Sequence, residues 1–302
     1  MLNFLPGSLK GCLFFVLMLI NTLFWLPILV IGALIKLVLP IPFLQKVITQ
    51  IIIASATNWV SLNSALFTIL HKVEWNVSGT EVLKKNEWYL VNSNHQSWAD
   101  IFIVQKILNR KVPMLKFFLK QELIWVPIIG ICWWALDFPF MKRYTAEQVR
   151  KNPALAGKDL ETTRKACEKF KTTPVSVFNF LEGTRLTPEK HQKQQSPFVN
   201  LLKPKAGGAA FVLGSMGEQM KTMLDITIVY PEDSDKGFWD LLCGRVRRAT
   251  INIRKIDIPI QLLDKDYAND SAFKAEFQSW LNELWLDKDA LISDMKKTQH
   301  YS

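Results

Sequence analysis

The first seventy residues are apolar almost throughout, and polar positions are rare. Gly11 to Ile35 is broken only mildly by Asn21, Thr22 and Pro27. As a helix these 25 residues would extend about 37 Å, enough to cross a bilayer core. Although Lys10 precedes the run, it is longer than a signal-peptide core and no small-residue cleavage site follows it. The pattern therefore predicts a retained membrane helix.

A second apolar stretch, Ile41 to Leu70, carries scattered Ser, Asn and Gln residues. It predicts a second span, a re-entrant helix or an amphipathic helix in the membrane interface, and the three alternatives stay open. Buried helices of a soluble protein are a weaker interpretation, because these seventy residues contain no Asp or Glu.

From residue 71 onward, short apolar runs alternate with polar helical stretches. Strands are predicted from this alternation, at 74–76, 89–92, 112–118, 175–180, 224–230 and 249–253. A helix is predicted at 101–108, further helical character at 145–173, and either core or a membrane-dipping surface at 123–134, where three tryptophans fall. Such alternation is typical of an α/β fold. We expect a mixed sheet flanked by helices in a domain at 71–302, preceded by membrane-anchoring helices at 1–70.

Composition and charge narrow the possible partners. The 302 residues are 49% hydrophobic and carry a net charge of +10, which suits a membrane surface, a phosphorylated metabolite or nucleic acid. Nucleic acid is disfavoured because the basic residues are interspersed with acidic ones instead of forming a basic face. The four cysteines and four histidines are scattered, so no metal site or disulfide framework is expected, and reduced thiols in a cytosol-facing domain are predicted.

The stretch Ser93–Asp100 lies between a predicted strand and a predicted helix. Open α/β folds usually place their chemistry at this end of a strand. If the helix begins near Ser97, Asp100 falls in its first turn and can orient His95 as a general base. The same residues, Ser97 to Asp100, also fit a capping box, in which Asp100 only satisfies helix amides. From these residues alone the two interpretations are equally good.

A second polar motif, Phe180–Arg185, directly follows another predicted strand. Gly183 permits a tight turn, Thr184 supplies a hydroxyl, and Arg185 offers a fork for phosphate that the Glu182 carboxylate would orient. A surface turn with a salt bridge explains the motif equally well. The lysines and glycines of Leu201–Gly208 similarly fit either a site near a donor phosphate or a basic turn.

Two further motifs and one serine are candidates for chemistry. Phe138–Tyr144 places Lys142 and Arg143 after an apolar segment, and Val229–Pro231 ends a strand. A serine nucleophile at Ser215 is rejected, because a leucine precedes it where the nucleophile-elbow pattern requires glycine.

Together, in this order, the four motifs resemble those of the glycerolipid acyltransferase family, the 1-acylglycerol-3-phosphate acyltransferases. The matching blocks are Asn94–Asp100, Phe140–Arg143, Phe180–Arg185 and Val229–Pro231, within roughly residues 85–235. Thr187, Lys190 and His191, with Lys142 to Tyr144, are closest to the lysophospholipid and lysocardiolipin branch. The long apolar N-terminus is also similar to that of relatives that dock on membranes.

The resemblance implies a membrane-bound O-acyltransferase in phospholipid biosynthesis or remodelling. It would move a fatty acyl chain from acyl-CoA or acyl carrier protein to a lysophospholipid hydroxyl, giving phosphatidic acid from 1-acylglycerol-3-phosphate. His95 and Asp100 would be catalytic; Arg143, Glu182, Gly183, Thr184 and Arg185 would bind substrate.

The resemblance implies neither a metal nor a cofactor, and the partners it implies are the lipid bilayer, the acceptor and the acyl donor. The catalytic domain would face the cytoplasm, at the inner membrane in a bacterium. The alternative is a membrane-anchored lipid-binding or scaffold protein that keeps the fold without transfer activity.

Overall fold

Two long helices precede an alternation of strands and helices. The computed structural model describes residues 5–141, 150–151, 161, 164–165, 167–168, 170–171, 173–231, 237–263, 265, 267 and 269–300. Within these residues the helices are α1 (Gly7–Val38), α2 (Pro42–Leu70), α3 (Ala99–Leu108), α4 (Ile129–Ala135), α5 (Pro188–Gln194), α6 (Ala206–Met216), α7 (Phe238–Leu242) and α8 (Ser271–His300). The strands are β1 (Glu74–Ser78), β2 (Tyr89–Ser93), β3 (Leu115–Phe117), β4 (Leu119–Lys120), β5 (Phe140–Met141), β6 (Ser176–Asn179), β7 (Thr222–Val229) and β8 (Arg248–Asp257).

Six strands form one mixed sheet in the order β1-β8-β7-β2-β6-β3, and β4 pairs with β5 separately. In the large sheet β8 is antiparallel to β7, and all other neighbouring strands are parallel. The predicted mixed α/β sheet flanked by helices is thus confirmed. β3 is shorter than predicted because it begins only after Pro113, which has no N–H to donate to a neighbouring strand.

Helices cover both faces of the sheet. Residues of α6 and α8, including Leu213, Phe277 and Trp285, are buried on one face. On the other face, Ile103 of α3 packs in one cluster with Phe14 of α1. Because both faces are covered, the central strands β2, β6 and β7 are buried along almost their whole length instead of alternating between buried and exposed residues.

A buried ion pair fastens α8 to the centre of the sheet. The Lys288 side chain is fully buried and donates to Asp225 Oδ1 at 2.7 Å and to the Ile226 carbonyl at 2.9 Å. Arg254 Nη2 donates to the other carboxylate oxygen of Asp225 at 2.8 Å. The charges of this cluster are therefore paired, as a buried ion pair requires.

The α1 and α2 helices form an antiparallel hairpin, and both are long and apolar enough to cross a membrane. Their central polar residues face each other: Asn21 Nδ2 donates to Asn63 Oδ1 at 2.8 Å, and Trp59 Nε1 donates to Thr22 Oγ1 at 3.0 Å. Polar groups buried away from water are stable only when paired in this way.

Other polar residues of α2 contact α3 and the turn that follows it. Lys106 Nζ of α3 donates to Thr68 Oγ1 at 2.9 Å, and the Arg110 guanidinium donates to Asn58 Oδ1 at 2.5 Å. These contacts explain the polar residues scattered through α2. The division of the chain at residue 70 stays a prediction, since the hairpin and the following domain share apolar clusters.

Candidate active site

The sheet order brings three sequence motifs to one edge. The parallel strands β7, β2 and β6 are neighbours, so their carboxyl ends lie side by side. His95 follows β2, the Phe180–Arg185 loop follows β6, and Tyr230 follows β7. This is the position at which open α/β sheets bind ligands.

His95 and Asp100 contact each other directly. His95 Nδ1 lies 2.9 Å from Asp100 Oδ2, and both side chains are buried. The imidazole stacks on Phe180 with ring centroids 3.8 Å apart and an interplanar angle of 12°. The carboxylate therefore holds Nδ1–H, the ring stack fixes the ring plane, and Nε2 has no hydrogen-bond partner among the described residues. A histidine held in this way can accept a proton at Nε2.

The Asp100 carboxylate also accepts the hydrogen bonds that the capping interpretation predicts. Its Oδ2 atom accepts the amide N–H of Gln96 at 2.7 Å and that of Ser97 at 2.8 Å, while Ser97 Oγ accepts the amide of Ala99 at 2.9 Å. Asp100 thus closes the turn and contacts the histidine at once. All three amides therefore already have acceptors within the turn.

Tyr230 completes the buried group, and sequence reasoning missed its role. Its hydroxyl donates to Asp100 Oδ1 at 2.5 Å, and the side chain is fully buried. Burial and the neighbouring carboxylate raise the pKa of Tyr230 well above its ordinary value, so the phenol stays protonated and donates. The fourth motif contained this tyrosine, but its partner lies 130 residues away and no local pattern indicates it.

Glu182 is placed to hold the site together. Its side chain is fully buried; Oε1 accepts the His95 amide at 2.8 Å, and Oε2 accepts the Leu202 amide at 2.9 Å. Burial raises the pKa of Glu182 to about 7, although both amide hydrogen bonds oppose the rise. With both oxygens engaged by backbone amides, Glu182 positions the His95 loop and is not open to a substrate, which corrects the prediction that it binds one.

Gly183, Thr184 and Arg185 lie at the surface beside His95. The Arg185 guanidinium is exposed and lies over the Trp98 ring, 5.0 Å from its centroid, and the Trp98 ring meets His95 edge-on at 6.4 Å. Among the described residues no carboxylate pairs with Arg185. A cation held on an aromatic face without a counter-ion is a candidate anion site.

Two lysines add to this positive charge. Gly183 has a positive φ of 68°, and a Cβ there would lie 3.2 Å from Lys205 Nζ, so the ammonium group reaches over the glycine. Lys190 Nζ donates to Thr184 Oγ1 at 2.8 Å. The Leu201–Gly208 stretch, for which sequence reasoning left two interpretations open, thus brings Lys205 to the Gly183 turn.

Arg143, predicted to share the anion, lies outside the described residues with Lys142 and Tyr144. In the part of the chain that the structure describes, no three His, Cys, Asp or Glu side chains are grouped to hold a metal ion. Cys12, Cys132, Cys167 and Cys243 are all free thiols.

The part of the chain that carries these motifs is also the part that matches known proteins. The sequence profile of the acyltransferase family matches residues 74–229, just over half of the chain, with the first three motifs and the first residue of the fourth. This chain belongs to the acyltransferase family. The matched range covers β1 to β7 and so includes every strand end at the candidate site except Tyr230, the next residue.

Two curated acyltransferases illustrate the similarity. A 2-acyl-1-lysophosphatidylinositol acyltransferase of Saccharomyces cerevisiae is 26% identical over 243 residues, covering 66% of this chain and 59% of that protein. The human 1-acyl-sn-glycerol-3-phosphate acyltransferase delta is 27% identical over 220 residues, covering 69% and 53%. The chain thus spans between half and three fifths of the length of these relatives.

A solved structure also matches the acyltransferase fold of this chain. It is the 1-acyl-sn-glycerophosphate acyltransferase PlsC of Thermotoga maritima, with 17% identity, a TM-score of 0.46 and coverage of 88% of this chain and 97% of that one.

Proposed function

We propose that this protein is a membrane-bound O-acyltransferase that esterifies the free hydroxyl of a lysophospholipid, with 1-acylglycerol-3-phosphate as acceptor and phosphatidic acid as product. The acyl donor is a thioester, acyl-CoA or acyl carrier protein. The observation that carries the proposal is the buried His95–Asp100 pair at 2.9 Å next to the exposed cations Arg185 and Lys205. Membership of the acyltransferase family supports the same reaction.

His95 acts as the general base. Its Nε2 takes the proton of the glycerol hydroxyl while the hydroxyl oxygen attacks the thioester carbonyl. Asp100 keeps the proton on Nδ1 and stabilises the imidazolium that forms. Tyr230 donates to the second oxygen of Asp100, and Glu182 accepts the His95 amide. Together these hydrogen bonds hold His95 and Asp100 in position.

The acyl group then passes directly to the acceptor. The new C–O bond gives a tetrahedral intermediate, and its collapse breaks the C–S bond. The leaving thiolate takes the proton from the imidazolium, which returns His95 to its starting state. No covalent enzyme intermediate is required, because the thioester is already an activated acyl group.

The acceptor phosphate binds the cations around Gly183. Arg185 supplies a planar fork suited to phosphate oxygens, and Lys205 supplies a point charge on the other side of the turn. The left-handed backbone of Gly183 and its missing side chain leave the phosphate room to approach. Arg143 is proposed as a further contributor.

In this proposal α1 and α2 hold the site at a lipid surface. By length and composition, both helices could cross a membrane. Their exposed side chains include Phe24, Ile31 and Phe43. We propose that α1 and α2 anchor the enzyme in the bilayer with its catalytic domain on the cytoplasmic side, at the inner membrane in a bacterium.

The test is an acyl-transfer assay on membranes that contain wild-type protein, His95→Ala or Arg185→Ala. We expect His95→Ala to abolish transfer and Arg185→Ala to raise the KM for the acceptor strongly. His191→Ala and Arg248→Ala are matched controls outside the site and should keep near wild-type turnover. Transfer undiminished by His95→Ala would exclude the general base, and an unchanged acceptor KM in Arg185→Ala would exclude the phosphate contact.

The assay also distinguishes an enzyme from a scaffold. A chain that only binds lipid would show no transfer to any lysophospholipid, even with wild-type protein present in the membrane. The intact His95–Asp100–Tyr230 group favours the enzyme, because a lipid scaffold has no use for a buried, oriented base.

A further inference from the structure

We propose that a second surface of this protein, formed by Trp125, Val126, Ile131 and Trp134, inserts into the lipid bilayer. We call it the tryptophan surface. It lies on the segment that runs from the short helical turn Gln121–Trp125 through α4. The proposal rests on the membrane placement of α1 and α2 and adds a third element to it.

The four side chains are unusually exposed for their type. Trp125 is 84% exposed, Ile131 46%, Trp134 40% and Val126 37%. Residues 123–136 contain no charged side chain, so a stretch of this length would meet water with apolar groups only. Contiguous exposed apolar surface of this kind marks an interaction site.

The opposite side of α4 packs on the membrane hairpin. Cys132, Ala135 and Leu136 form one buried cluster with Leu29 and Ala33 of α1. Consequently α4 lies at the level of the second half of α1. If that half of α1 is in lipid, the outer side of α4 meets the same lipid.

An ion pair joins the two elements at their ends. Lys36, in the last turn of α1, contacts the Asp137 carboxylate directly after α4. Pairing neutralises a charge that would otherwise be costly near the hydrocarbon. It also fixes α4 against the end of α1.

The turn before α4 has little freedom to move away. A Cβ at Gly130 would lie 2.2 Å from the Ile124 carbonyl oxygen, so only glycine allows this close contact. The tryptophan surface is therefore a built feature of the fold, with Trp125 projecting from it.

Lipid is the occupant that the surroundings favour. The tryptophan surface lies on an element that packs on α1, and in the same half of α1 Ile31 and Leu34 are exposed apolar side chains. Tryptophan is enriched where proteins meet the membrane–water interface, because its ring is apolar and its N–H is polar.

The experiment uses the full chain in vesicles of phosphatidylcholine and phosphatidylglycerol. Single nitroxide labels are placed by Trp125→Cys, Ile20→Cys or Leu286→Cys in a Cys12→Ser background, since the other three cysteines are buried. Ile20 is an exposed position on α1, and Leu286 is an equally exposed apolar position on α8. Relaxation of each label by oxygen, which concentrates in lipid, is compared with relaxation by a water-soluble nickel chelate.

We expect the label at 125 to match the one at 20, with strong oxygen and weak nickel access, and the label at 286 to show the reverse. A water-like label at 125 beside a lipid-like label at 20 overturns the tryptophan surface and leaves the membrane hairpin standing. Water-like labels at both 125 and 20 overturn the membrane hairpin itself, and the tryptophan surface with it.

Discussion

The hydrogen bond from Tyr230 to Asp100 is the contact whose loss tests the site most directly. Tyr230→Phe removes one oxygen and leaves the ring in place. The donor and acceptor are 2.5 Å apart, and both are fully buried, so water does not replace the lost donor. We therefore expect the buried carboxylate oxygen to be left unsatisfied while the fold is kept.

The magnitude follows from the type of bond. A hydrogen bond to a charged group contributes about 1.5–3 kcal/mol net. If all of this energy were lost from the transition state, kcat would fall about 10- to 150-fold, which is the upper limit. We expect a decrease within this range, because Asp100 still accepts from His95 and two amides.

The kinetic constants separate positioning from simple destabilisation. Tyr230 acts on His95 through Asp100 and is not part of the proposed phosphate site. Its loss should therefore lower kcat while the KM for the acceptor stays near the wild-type value.

Tyr89→Phe is the matched control. Tyr89 is also buried and donates to a carboxylate, that of Glu87, at 2.9 Å, but it lies at the opposite end of β2. We expect it to cost stability without lowering kcat. Wild-type kcat in Tyr230→Phe would refute the positioning role, as would an equal fall of kcat in both variants.

Three further predictions concern residues around the site and the core. Lys205→Ala should raise the acceptor KM about tenfold, because it removes one charge-assisted contact that contributes about 1.5 kcal/mol. Lys203→Ala should leave the acceptor KM unchanged in the same steady-state assay. Burial raises the pKa of Glu182 to about 7, so the folded state keeps the Glu182 proton to higher pH than the unfolded state does. The stability that this proton contributes is full below about pH 4.5 and is lost as pH rises through about 7. Thermal unfolding in detergent should show this loss in wild type and not in Glu182→Gln. Lys288→Met should lower the free energy of unfolding by about 1.5–3 kcal/mol, because Asp225 loses one charge-assisted hydrogen bond but keeps Arg254 as a partner. The exposed Lys297→Met should change it by about 0.5 kcal/mol or less, and equal effects would contradict the buried ion pair.

Local patterns were sufficient for much of the fold. Short apolar runs predicted all six strands of the large sheet, and every strand end but one lies within three residues of its prediction. The exception is β8, which extends to Asp257, four residues beyond the prediction. The prediction for β3 began three residues too early because it included Pro113. Helix α3 was predicted from the same signal. These elements are determined by residues that are close together in the sequence. Hydrophobic periodicity and the position of proline indicate such local preferences.

The His95–Asp100 pair was predictable for the same reason. The two residues are five apart, and a helix that begins between them brings the carboxylate back to the ring. Whether Asp100 caps the helix or contacts the histidine could not be decided from the sequence, and the structure shows that a single oxygen does both.

The sequence by itself therefore predicted the strands, two long apolar helices and the motif that carries the proposed base. Only the tertiary structure decided that Tyr230 meets Asp100, that Glu182 lies beneath the His95 amide and that Lys205 reaches over Gly183. Each of these contacts joins residues that are distant in the chain or depends on which strands are neighbours. The order β7-β2-β6 creates them, and strand order is fixed by the packing of the whole sheet, which no local run of residues encodes.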